Sequence, residues 1–180
     1  MKSEKVRDAC ERWLKDIVVG LQLCPFAKAP LQKKQIRFAI SDAATEEQLI
    51  DELIKECRYL DEHQETETTL LICSELLPDF FEFCQFIQWA ESSLKKHDWQ
   101  GIYQLAHFHP HYCFTGCDPD DAQNLTNRSP YPILHLLRET SLEKALERFE
   151  APESIPEKNI QTMNAMSEAE KHRYFDYLFN

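Results

Sequence analysis

Glycine is scarce in this chain: its 180 residues contain three, Gly20, Gly101 and Gly116. Neither a GxGxxG nor a GxxxxGK(S/T) loop can be assembled from them, which excludes the familiar glycine-loop nucleotide sites. Positive charge is also short, with 20 Lys and Arg against 31 Asp and Glu and a net charge of −11. An acidic protein of this kind is a poor partner for a phosphate backbone, so nucleic acid is not an expected ligand. No run approaches the roughly 18 apolar residues of a membrane span, so no membrane partner is expected. The opening MKSEKVRDACER is too charged for the apolar region of a signal peptide, and a cytoplasmic location is the expectation. A CxxC pair is missing too. Seven cysteines make an odd count, which a reducing compartment would leave as thiols. Cys10, Cys57 and Cys84 fall at helical-period apolar positions and read as small buried hydrophobes.

What is present suits a globular chain: 43% hydrophobic and 11% aromatic residues, in a length that fits a single domain over residues 1–180. Apolar residues at helical spacing from Val6 to Val18 predict a first helix over Ser3–Val19, with Gly20 as a left-handed cap. QIRFAI (35–40), TTLLIC (68–73) and GIYQLAHF (101–108) read as strands. Between them, a capping box at Thr45–Gln48 opens one helix, and Pro78 and Asp79 open another that carries Phe83, Ile87 and Leu94. Helices and strands in this alternation, with short connections, predict an α/β fold: a small three-stranded parallel sheet flanked by helices, with extra C-terminal helices. A ferredoxin-like α+β sheet is the alternative. A helix is expected over PYPILHLLRE (130–139), a second capping box at Thr140–Glu143 starts SLEKALERF (141–149), residues 150–159 read as a linker, and Ser167 caps a last helix.

The richest chemistry lies in AHFHPHYCFTG (106–116). Histidine or cysteine stands at every second position, at His107, His109, His111 and Cys113, so an extended chain would carry them along one edge. Two imidazoles about 6.6 Å apart along a strand can converge on one metal ion. His107 and His109 are therefore candidate metal ligands or acid/base groups, with Cys113 as a further ligand and zinc or iron as suitable metals. Pro110 cannot join a sheet ladder, which sets His111 apart.

Cys24, in LCPFAK, is a candidate nucleophile or soft ligand if Lys28 stabilises its thiolate. In NRSPYPILHLLRE, Pro130 and Pro132 remove backbone donors, leaving Arg128 as the candidate anion ligand. A helix there would place Tyr131 and His135 on the face beside it, making them candidates for substrate contact and catalysis.

WLKDIVVGLQLCPFA, FHPHYCF and above all NRSPYPILHLLRE resemble the uncharacterised bacterial family known as domain of unknown function 1415. The resemblance covers nearly the whole chain and implies a stand-alone bacterial domain of about this length; it transfers no catalytic assignment. The residues favour an enzyme acting on a small anionic substrate, with a histidine-rich site at the end of the third strand. The alternatives are a non-catalytic metal- or cofactor-binding module and an acidic protein-interaction domain.

Overall fold

The computed structural model describes residues 2–147 and 151–179. The three segments expected as strands form β1 (Ile36–Ile40), β2 (Thr68–Ile72) and β3 (Tyr103–Phe108). All three run in one direction, yet only β1 and β2 pair with each other. A further strand, β4 (Ile133–Arg138), lies between β2 and β3 and is antiparallel to both. The result is an α/β fold on a four-stranded mixed sheet of order β1-β2-β4-β3.

This corrects two expectations at once. PYPILHLLRE is not a helix, and the sheet is neither three-stranded and parallel nor the ferredoxin-like antiparallel alternative, since neighbours β1 and β2 are parallel. The physical reason is burial: Ile133, Leu134 and Leu136 are fully buried, from both faces of a central strand. A strand covered on both faces carries an unbroken apolar run, and the period of so short a run does not separate strand from helix. The two prolines sit just outside the ladder, where the carbonyl of Pro132 still accepts a 2.9 Å hydrogen bond from the Cys73 amide.

One face of the sheet is covered by α3 (Glu46–Glu62) and α4 (Phe80–Lys96). Thr45 caps α3 by accepting from the Gln48 amide, and Asp79 caps α4 by accepting from that of Glu82. Leu53, Cys57 and Leu60 of α3 and Phe83, Phe86 and Ala90 of α4 pack with Leu71, Leu134 and Leu136 of the sheet. Cys84 on α4 is half-buried rather than a core residue.

The other face is covered by α1 (Lys2–Arg12), which runs on into a π-helix over Trp13–Val19, together with α6 (Ile155–Ala165). Val6, Cys10, Trp13, Ile17 and Met163 bury against Leu70, Ile72 and Ile133. Burial of each large apolar side chain contributes about 1.5–3 kcal/mol. Phe175, just beyond α7 (Glu168–Tyr174), is fully buried in the same cluster, so the last helix packs back on the sheet as expected. The Ser167–Glu170 capping box that opens α7 forms in both directions.

Three local expectations fail for identifiable reasons. Gly20 is right-handed, at φ −63 and ψ −40, and the left-handed turn comes at Gln22 with φ 57. Glycine is needed at 20 because of the wide π-helical turn: a Cβ there would lie 2.2 Å from the Asp16 carbonyl oxygen. Helix α5 (Glu139–Leu146) starts directly from the end of β4, so Thr140 falls inside it and caps nothing. Residues 148–149 of the expected helix and residue 150 of the expected linker lie outside the described residues. The rest of that linker is a 3₁₀ turn at Pro152–Ser154 followed by α6, whose first turn holds Pro156 at no hydrogen-bond cost.

Gly20→Ala should therefore destabilise the protein by about 2 kcal/mol or more, as overpacking against rigid backbone does. Urea unfolding of the two proteins checks this.

Candidate functional site

Between the sheet and the π-helix lies a cavity of about 360 Å³. Its floor is the α1-side face of the sheet, where Thr68, Leu70, Ala106, Phe108, His135 and Leu137 alternate inward from β2, β3 and β4. Trp13, Leu14 and Val18 of the π-helix close it above, and Leu142 and Ala145 of α5 close one side. The Trp13 and Phe108 rings meet edge-on with centroids 5.0 Å apart, and Phe108 lies 6.2 Å from the His135 ring. The lining is mostly aliphatic and aromatic, with a few polar groups converging on it, as small-molecule sites are built.

His135 is the polar group of the floor. The Thr68 hydroxyl spends its proton on the Leu136 carbonyl, at 2.5 Å, and lies 2.7 Å from His135 Nε2. It can therefore only accept from the ring, which fixes His135 as the Nε2–H tautomer with an unprotonated Nδ1. Nδ1 has no hydrogen-bond partner among the described residues. Burial pushes the His135 pKa down to about 4, so the ring is neutral at pH 7.

Cys24 lies in the wall of the same cavity. Pro25 follows it, and the chain turns at once into α2 (Lys28–Gln32), so the backbone amides of Phe26 and Ala27 donate to the sulfur. Burial outweighs those two bonds and raises the thiol pKa. Arg138 borders the cavity at the end of β4, but its side chain lies on the α3 face with Leu134 and Leu136, where the guanidinium is taken up by the carbonyls of Leu60, His63 and Thr66. Lys33, which is exposed, and Glu67, which is half-buried, bring one charge of each sign to the lining.

The histidine-rich segment is arranged otherwise. His107 and His109 do pack against one ring, that of Phe83, with centroids 6.0 and 5.0 Å away. His109 is fully buried, and both its nitrogens are engaged: Nε2 lies 3.0 Å from the Leu77 carbonyl and Nδ1 accepts from the His111 amide at 3.0 Å. It joins the chain after β3 to the residues before α4. His107 stacks on Tyr112 at 5.7 Å, with its Nδ1 buried and unpaired. Burial lowers the pKa of both histidines. Cys113 donates to the carbonyls of Phe114 and Cys117. Among the described residues no group of three or more His, Cys, Asp or Glu is placed to hold a metal ion.

Arg128 is half-buried and spans the loop after β3: Nε donates to the Tyr112 carbonyl at 3.2 Å and Nη2 to that of Pro119 at 2.7 Å. Its own carbonyl accepts from Trp13 Nε1 at 3.0 Å and from the Tyr177 hydroxyl at 3.1 Å. Tyr131 packs on the apolar cluster of that face, away from the cavity lining. The structure thus unites Cys24 and His135 in one cavity and leaves His109, Cys113, Arg128 and Tyr131 outside it. Sequence reasoning missed Thr68, Trp13, Phe108 and Lys33. A lone histidine inside the apolar run ILHLL was the available signal, once the run is read as a strand.

These features define an α/β protein with an apolar cavity over a half-buried, neutral histidine. A family model described as "Protein of unknown function (DUF1415)" matches residues 5–173, and the chain belongs to that family. No curated protein and no solved structure matches the chain.

Two outcomes are expected. Arg128→Lys keeps the charge but loses the planar fork that reaches two carbonyls. It should speed hydrogen exchange across residues 112–121 while the sheet amides keep their protection. The second concerns pH. An unfolded histidine titrates near 6.5 and the folded His135 near 4, so the unfolded chain takes up a proton that the fold refuses. The stability this ring contributes is whole above about pH 6.5 and declines as the pH falls towards 4. The loss between pH 7 and pH 5 should be about 1–2 kcal/mol by urea unfolding. The lowered pKa values of His107 and His109 act in the same direction.

Proposed function

We propose that the protein binds a small, predominantly apolar molecule in the cavity under the π-helix, with one hydrogen-bond donor of the ligand held by His135 Nδ1. The observation that carries this reading is the acceptor nitrogen, without a hydrogen-bond partner among the described residues, of a half-buried, neutral imidazole in a wall of aromatic and aliphatic side chains. A ligand that supplies the donor gains a hydrogen bond of about 0.5–1.5 kcal/mol net and is preferred over an isostere that lacks it. An acidic ligand would need its carboxylate placed beside Lys33 and turned away from Glu67, with its apolar body inside.

An enzyme acting on a small acid is the second reading, favoured by the presence of Cys24 in the same lining. It would use His135 as base and Cys24 as nucleophile. A pKa of about 4 makes His135 a weak base at neutral pH, and burial keeps Cys24 protonated, so binding stands ahead of catalysis.

The test uses 8-anilinonaphthalene-1-sulfonate, which joins an apolar body, an N–H donor and an anionic group. It should bind saturably at one site per chain, with quenching of Trp13 fluorescence. His135→Leu should weaken binding about tenfold or more and Lys33→Ala by a smaller factor, with the fold retained. Binding that is non-saturable, or unchanged in His135→Leu, contradicts the reading.

A further inference from the structure

β3 pairs with β4 on one side and is the last strand of the sheet on the other. In an antiparallel ladder, alternate residues turn their N–H and C=O towards the partner strand. The 2.9 Å bond from the Glu139 amide to the Ile102 carbonyl sets the phase: Gln104, Ala106 and Phe108 face β4, and Leu105 and His107 face outward. The bond from Cys73 to Pro132 sets the same phase from the β2 side. These outward groups have no backbone partner among the described residues.

They border a cleft of about 340 Å³, separate in character from the apolar cavity although Val18, Cys24, Ala106 and Phe108 lie in both linings. Thr126, Asn127 and Asn159 bring hydroxyl and carboxamide groups to it. The Asn159 side chain donates to the Leu23 carbonyl at 2.8 Å, which leaves its oxygen as an acceptor. No Asp, Glu, Lys or Arg lines the cleft, and burial favours neutral His107.

We propose that this cleft is a binding site for a small neutral molecule carrying an amide or lactam group, held by the outward N–H and C=O of Leu105 and His107. An amide supplies a donor and an acceptor together, which matches what an unpaired strand edge offers. A charged ligand would give up its hydration here without meeting an opposite charge. The site stands on the edge geometry and does not depend on the ligand of the apolar cavity.

The test is a titration of uniformly ¹⁵N-labelled protein with benzamide and with its charged isostere benzoate. Benzamide should shift the backbone amides of Leu105, His107 and Asn127 saturably, with benzoate at least tenfold weaker. His107→Pro removes one outward donor without touching the ladder to β4. It should weaken benzamide at least tenfold, with an unchanged circular dichroism spectrum. Benzamide that shifts none of those amides, binds no better than benzoate, or binds a folded His107→Pro variant equally well overturns the proposal. If His107→Pro does not fold, the titration of the unaltered protein decides alone.

Discussion

The central position of β4 is the constraint on which the rest of the structure depends. It bonds to β2 on one side and β3 on the other, so it turns two parallel strands and a third, distant one into a single sheet. Every backbone group of such a strand is committed to the ladder, and its side chains alternate between two covered faces. Leu134 and Leu136 fill the face under α3 and α4, while Ile133, His135 and Leu137 belong to the other. The tautomer and the neutrality of His135 follow from that placement: Thr68, two residues from its ladder partner Leu70 on β2, engages Nε2, and burial disfavours the charged ring.

His109, which is buried, and His135, which is half-buried, do different work. His109 engages both ring nitrogens and ties the end of β3 to the chain before α4, which is a structural role. His135 engages one nitrogen and turns the other towards a cavity large enough for a small ligand. Arg128 resembles His109 in this respect: its fork and its carbonyl join the loop after β3, the π-helix and Tyr177 near the chain end. Residues of striking chemistry in sequence are thus spent on holding the long loop. A residue set in an apolar run faces the space where a ligand fits.

Much of the fold was legible. Thr45, Asp79 and Ser167 cap the helices they were expected to start, because capping depends on a few neighbouring residues. The directions of β1, β2 and β3 follow from the helices between them. ILHLLR was not legible as a strand, since its period fits a helix face equally well and its burial on both sides is a property of the assembled sheet. That one misreading also displaced the site. On a helix, His135 would neighbour Arg128 and Tyr131; on β4, it bonds to Thr68, stands across from Ala106 and lies near the Phe108 ring. The role of Gly20 was hidden for a related reason, since a π-helical turn leaves no mark in apolar spacing.

The state of the His135 ring tests the central claim most directly. Long-range ¹H–¹⁵N correlation spectra of the imidazoles at pH 7, assigned by comparison with a His135→Leu variant, report which nitrogen carries the proton. The structure requires a neutral ring protonated on Nε2, with an Nδ1 resonance that moves on addition of an apolar donor ligand while Nε2 stays in place. A His135 ring that is charged at pH 7, protonated on Nδ1, or indifferent to every such ligand would contradict a binding site built on that nitrogen.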